Sequence, residues 1–194
     1  MYIPECFLIE DSRKVYSFIE DNSFGQITSI VDGRLYSSHV PFLLSKDNSC
    51  LISHLAKSNP QHLELDGQEV LITLDGAHGY VSPSWYESSG VPTWNYQTVH
   101  IYGVVRVFSD SEKLKCAVES ITAKYEGVFD SPWEPKYKSS ALDAIVGIEI
   151  SITEIQCKFK LSQNRSKNDQ REVIRKLRLG KNTLLAEEME KNLF

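Results

Sequence analysis

GQITSIVDGRLYSSHVPFLL, residues 25–44, decides the fold class. Two β-rich runs flank Asp32-Gly33, a dipeptide that takes the left-handed conformations of a tight hairpin turn, so the stretch predicts a hairpin and with it an antiparallel sheet. Outward from it, CLISHL (50–55), EVLITL (69–74) and AHGYVS (77–82) predict further strands at short intervals. Residues 98–108 alternate, with Val99, Ile101, Val105 and Val107 on one face and His100, Tyr102 and Arg106 on the other. AIVGIEISITEIQCKFKL (144–161) sets Val146, Ile148, Ile150 and Ile152 against Glu149, Ser151 and Thr153, as in a long half-buried strand. Helical spacing appears over 12–22, with Ser12 as the expected N-cap, and after Ser109 and Glu112, which read as a capping box. It returns over 169–179, closed by Gly180, and over 183–193. Strands that follow one another with only single helices between them are not the strict alternation of a doubly wound parallel sheet. The pattern predicts a mainly β chain with flanking α: an antiparallel barrel over residues 1–164 and a helical C-terminal tail over 165–194.

A chain of 194 residues with 41% hydrophobic content can fill a core of its own. Its formal charge of −5 is unevenly spread. Arg165, Lys167, Arg171, Arg175, Lys176, Arg178 and Lys181 face only Asp169 and Glu172 within their stretch, so the tail is basic and the body acidic. Such a tail pairs with its own body or meets an anionic partner, DNA among them. Cys6, Cys50, Cys116 and Cys157 are scattered, without a CxxC pair, and read as reduced thiols. No apolar run is long enough to span a bilayer, and MYIPECFLIEDSRK lacks a basic segment ahead of an apolar one, so the expectation is a soluble cytoplasmic protein without a membrane partner. The five histidines show no HExxH or His-x-His spacing, and no metal site is expected from them. A GxSxG elbow, a Walker loop and a GxGxxG fingerprint are all missing.

The chemistry is carried elsewhere. SPSWYESSGVPTWNY (82–96) packs two tryptophans and two tyrosines onto a stretch punctuated by Pro83 and Pro92, which reads as a loop shaping a ligand site. Three sets of polar groups stand at strand ends: Ser37, Ser38 and His39 before Pro41; Ser53, His54, Lys57 and Asn59; and Lys158, Lys160, Ser162 and Gln163 in KFKLSQN. A phosphate dianion needs ammonium groups, hydroxyls and amides converging at one point, since charge-assisted hydrogen bonds are about twice as strong as neutral ones. Together with the aromatic stretch, these sets point to an aromatic phosphate as the ligand.

The strings MYIP (1–4), HVPFLL (39–44), HLAKSNPQ (54–61), SPSWY (82–86), VPTWNY (91–96), IVGIEI (145–150) and KFKLSQN (158–164) closely resemble the PaiB-type FMN-binding negative transcriptional regulators. The resemblance implies a flavin split barrel similar to the pyridoxamine-phosphate oxidase group, in which two subunits form a homodimer with FMN in the groove between them. It further implies that Ser37, Ser38, His39, Ser53, His54 and Lys57, near Asn59, hold the phosphate and ribityl chain. Trp94, Asn95 and Tyr96 would approach the isoalloxazine or the partner subunit, and Lys158, Lys160, Ser162 and Gln163 would close the site from the other side. The implied function is a flavin-binding repressor, with a flavin-dependent oxidoreductase as the alternative.

Overall fold

The computed structural model describes residues 1–131, 133 and 139–193. Seven strands form one sheet: β1 (Phe24–Val31), β2 (Arg34–Pro41), β3 (Leu43–Leu44), β4 (Cys50–Ala56), β5 (Glu69–Val81), β6 (Thr93–Phe108) and β7 (Ile145–Lys160). The helices are α1 (Ser12–Asp21), α2 (Ser111–Glu126), α3 (Ser139–Leu142), α4 (Lys167–Leu179) and α5 (Thr183–Leu193). The strand order is β2-β1-β5-β6-β7-β4-β3. Two compact units are drawn from this chain: a hairpin unit of residues 19–74 and 100–155, and a terminal unit of residues 1–18, 75–99 and 156–194. The long strands β5, β6 and β7 contribute residues to both.

In the hairpin unit, Asp32 and Gly33 adopt φ values of 50° and 70°, the two left-handed residues of the expected turn, and β1 pairs with β2 from Phe24↔Pro41 to Val31↔Arg34. On its other side β1 pairs with β5 through Gln26↔Thr73, while β4 pairs with β7 through Ser53↔Ile148; all of these ladders are antiparallel. Although β2 and β3 are the sheet's two ends, Ser53 of β4 donates its hydroxyl to the carbonyl of Pro41 in β2 (2.7 Å). The sheet curls until its ends nearly meet without a continuous ladder, which makes it an antiparallel split barrel. Ile27, Leu51, Ile72, Ile101, Ile148 and Ile150 point inward and are fully buried. Burial of each such side chain contributes about 2 kcal/mol.

In the terminal unit, α4 and α5 lie on one face of the ends of β5 and β6. Ala77 and Val81 of β5 join Leu161, Val173, Leu177, Leu185 and Met189 in a single apolar cluster. Ser166 caps α4 by accepting the N–H of Asp169, and Gly180 ends the helix.

Four expectations shift in detail. Asp11 rather than Ser12 caps α1, its carboxylate accepting the N–H of Arg13 (3.0 Å) and its carbonyl the N–H of Val15 (3.0 Å). Asp110 rather than Ser109 caps α2 through the N–H of Lys113 (2.8 Å). The two strands expected at 69–74 and 77–82 are the single strand β5. Asp75-Gly76 looks like a turn, but Asp75 accepts the Thr98 hydroxyl (2.7 Å), and a side chain at Gly76 would stand 2.7 Å from the Phe18 ring. Finally, β6 begins at Thr93, five residues earlier than residues 98–108 suggested, so Trp94 and Tyr96 belong to a strand and not to a loop.

Candidate functional site

Alternation along β2 divides the first set of polar groups. Ser37 and His39 point outward, where Ser37 Oγ bonds Gln26 Oε1 and Thr28 Oγ1 (3.3 Å each) and the His39 ring stacks on Phe24 at 6.4 Å. Ser38 points to the other side, and Asn59 Nδ2 donates to its hydroxyl (2.8 Å) while Asn59 Oδ1 accepts the N–H of Gln61 (3.0 Å). His54 lies opposite Gly147 in the ladder, half-buried, with an Nδ1 that is shielded from solvent and, among the described residues, has no hydrogen-bond partner. Burial pushes its imidazole below the ordinary histidine range, so it is neutral near pH 7. Lys57 ties its backbone N–H to Ala144 O (2.9 Å) and leaves its side chain exposed. Ser53 departs from the expectation: it is fully buried, and its hydroxyl bonds Pro41 inside the barrel rather than facing a ligand.

In the terminal unit the same period sorts the second set. Asn95 and Ser162 turn toward α4 and α5, where Asn95 Nδ2 donates to Ser162 Oγ (2.8 Å) and contacts Met189 Sδ (3.3 Å). Both are buried, so the grouping of Asn95 with Trp94 and Tyr96 is corrected by strand alternation. Gln163 is engaged locally, donating to Phe159 O (2.5 Å) and accepting the N–H of Leu161 (2.6 Å). The opposite face carries Trp94, Tyr96, Lys158 and Lys160. Lys158 Nζ stands 5.2 Å from the Tyr96 ring centre, and Lys160 Nζ donates to Trp94 O (2.7 Å) and to Thr93 Oγ1. Burial and the neighbouring Lys158 charge push the Lys160 ammonium below the ordinary lysine range. The Trp94 side chain is 54% exposed, with Tyr80 edge-on to it at 6.2 Å.

Tyr2, Tyr80, Arg165 and Asp169 were not expected in the site from the sequence. Tyr80 was within reach, because once β5 is continuous its parity with His78 puts it on the outward face. Asp169 receives the N–H of Glu87 and the hydroxyl of Ser88 (2.8 Å each), bonds that hold its carboxyl below the usual range, and the Arg165 guanidinium lies 4.4 Å over the Tyr86 ring. The start of the aromatic stretch is thereby tied to α4. No local pattern in the sequence signals a contact across about 80 residues.

Residues 1–154 match a family model described as "Putative FMN-binding domain". The chain is 36% identical over 204 residues to the protease synthase and sporulation protein PAI 2 of Bacillus subtilis, covering 100% of this chain and 98% of the relative. An uncharacterized protein of Emericella nidulans is 32% identical over 224 residues, covering 90% of this chain and 89% of that one. Among solved structures, the FAD and heme binding protein from Mycobacterium smegmatis superposes with a TM-score of 0.64 at 14% identity, covering 83% of this chain and 77% of the other. The flavocytochrome Anf3 from Azotobacter vinelandii gives 0.63 at 15% identity, covering 79% and 69%. At these identities the structural likeness establishes the fold.

The donor chemistry fits an FMN. The hairpin unit has hydroxyls, an amide, an exposed ammonium and a neutral imidazole with an orphaned nitrogen, the groups a phosphate and a polyol require. The terminal unit has open aromatic surface of the kind a planar ring stacks on.

Proposed function

The chain belongs to the FMN-binding domain family and its cofactor is FMN; on that footing we propose that Ser37, Ser38, His39, His54, Lys57 and Asn59 serve the phosphate and ribityl chain, and that Trp94 and Tyr96 offer an aromatic surface for an isoalloxazine or for the partner subunit. Lys158 and Lys160 border that surface, with Asn95, Ser162 and Gln163 behind it, while Ser53 supports the polar set of the hairpin unit from inside the barrel. The observation that carries the reading is the buried, unpartnered Nδ1 of His54, on a strand inside the span of the family match. Titration with FMN, followed by quenching of flavin fluorescence, tests it: His54→Gln should weaken binding about tenfold, the loss of one hydrogen bond to a charged group. Equal affinity in the variant would remove His54 from the site.

The working form is a homodimer. Phe24, Ile30 and Leu35, the last 78% exposed, line the outward face of β1 and β2, an apolar surface that a second copy would cover. Sedimentation should give twice the chain mass, and Leu35→Glu should give monomers. The role we assign is that of a negative transcriptional regulator in the cytoplasm that responds to the flavin's state, supported by the relative named for protease synthesis and sporulation. DNA contact falls to the exposed cations of α4, so replacing Arg171, Arg175 and Arg178 by Glu should abolish a salt-sensitive gel shift. When bound, FMN supplies two-electron chemistry by accepting a hydride. The exposed Trp94 and Tyr80 rings favour a second reading, a flavin-dependent oxidoreductase, because they leave room for a planar substrate; steady NAD(P)H oxidation would select it.

A further inference from the structure

Lys158 and Lys160 stand two residues apart on one face of β7, and among the described residues neither has a carboxylate within 4.0 Å, whereas Lys113, Lys124, Arg175, Arg178 and Lys191 all do. Each ammonium carries three N–H donors. Tyr2 O accepts one from Lys158 (3.0 Å), and Thr93 Oγ1 and Trp94 O accept two from Lys160. Three donors remain, two on Lys158 and one on Lys160.

The setting makes that surplus significant. The N-terminal segment runs beside the end of β7, with Leu8 bridging Lys158 and the N–H of Ile9 bonded to Cys157 O (3.1 Å), and Lys158 is left 7% exposed. Its charge faces the rings of Tyr2 (5.8 Å) and Tyr96 (5.2 Å), which attract a cation without neutralising it. Poorly hydrated like charges are costly to hold together, and an anion removes that cost. The amide of Gln163 does not compete for the place, being bound to its own turn. The Tyr96 ring stands 5.2 Å from Lys158 Nζ, and Trp94, two residues along the same face of β6 and exposed, meets Tyr80 edge-on, so the anion that fits best is attached to a flat ring. Both lysines lie beyond residue 154, where the family match ends.

We propose that this face is a binding site for an aromatic acid, a planar ring bearing a carboxylate or phosphate whose oxygens accept from Lys158 and Lys160 while the ring lies against Tyr96 and Trp94. The site itself stands on the terminal unit alone. The identification of its occupant as the compound that meets the flavin, whether substrate or effector, rests on the FMN reading.

The test uses the full chain freed of FMN and titrated with benzoate, read by tryptophan fluorescence and by equilibrium dialysis, with cyclohexanecarboxylate and inorganic phosphate as ringless controls. Saturable benzoate binding is expected, weaker for both controls, and weakened about tenfold in Lys160→Gln, the loss of one charge-assisted hydrogen bond. Lys158→Met should behave alike. Because Lys158 is buried, the less buried Lys160 carries the decision should the Met variant fail to fold. FMN, whose phosphate is assigned to the hairpin unit, should lose less affinity than benzoate does in the lysine variants, the two being measured separately. No saturable benzoate or phosphate binding, or unchanged binding in Lys160→Gln, overturns the proposal. It is also overturned if FMN displaces benzoate and the lysine variants lose FMN, since the pair then holds the cofactor's own phosphate. Benzoate binding by a chain that fails to bind FMN would uphold this site and defeat the FMN assignment of the hairpin unit.

Discussion

Helix α4 and the end of β7 are the two cationic regions of the terminal unit, separated by a few residues of chain and opposite in how they treat their charge. On α4, Arg175 meets Glu172 (2.9 Å) and Arg178 meets Glu190 of α5 (2.6 Å), while Lys167 donates to Leu193 O (2.9 Å) and Arg165, just ahead of the helix, to Ser89 O (3.1 Å). On β7, Lys158 faces the Tyr2 and Tyr96 rings and the Tyr2 carbonyl, Lys160 the Trp94 carbonyl and the Thr93 hydroxyl, and among the described residues neither has an acid within 4.0 Å. A formal count of charge along the chain singles out the helix. The geometry singles out the strand, because a cation on a helix surface has acidic neighbours one turn away or on the next helix, whereas one on a sheet face has only what the adjacent strands provide.

Substitutions separate the two regions. The largest effect is expected where both regions share support: Leu185→Ala, in the cluster beneath α4 and α5, should cost about 3 kcal/mol in urea unfolding through the cavity it leaves. Next, Lys158→Met should raise stability by about 1 kcal/mol, because it removes a desolvated charge that has no counter-ion; a loss of similar size would show that the Tyr2 and Tyr96 rings compensate it fully. Arg178→Gln, on the paired helix, should cost about 0.5 kcal/mol and less at high salt, as exposed ion pairs do. The smallest signal lies in the hairpin unit. The folded His54 pKa is below its unfolded value of about 6.5, so the unfolded chain binds the extra proton first. The contribution of neutral His54 to stability is therefore complete above about pH 6.5 and is lost as pH falls from there toward the folded pKa. His54→Gln should flatten that part of a stability-pH curve measured without FMN, and an unchanged slope would mean that another group sets it.

Much of the barrel was legible because its strands announce themselves locally. The Asp32-Gly33 turn, the alternation in β6 and β7 and the capped helices all depend on neighbours a few residues apart. Reading went wrong where a local signal met a distant partner. Asp75-Gly76 has turn chemistry, yet Thr98 and the Phe18 ring hold it extended; Ser109, by contrast, yields its capping role to its immediate neighbour Asp110. The polar groups near strand ends were found as residue types, but which of them face outward was not. Ser37 was separated from Ser38, and Asn95 from Trp94 and Tyr96, by a period of two whose starting point the sequence left open.

Composition and pattern alone therefore determined the class of fold, the hairpin, the helical ends and the kinds of side chain on hand, because these follow from backbone preference and periodicity over a handful of residues. Only the tertiary structure decided that Ser53 bonds within the barrel, that His54 is left with a nitrogen in need of a partner among the described residues, and that a buried lysine, Lys158, has none of their acids within 4.0 Å. Satisfaction of a donor or a charge depends on what the folded chain brings to it from tens of residues away, and the local sequence carries no record of that distance.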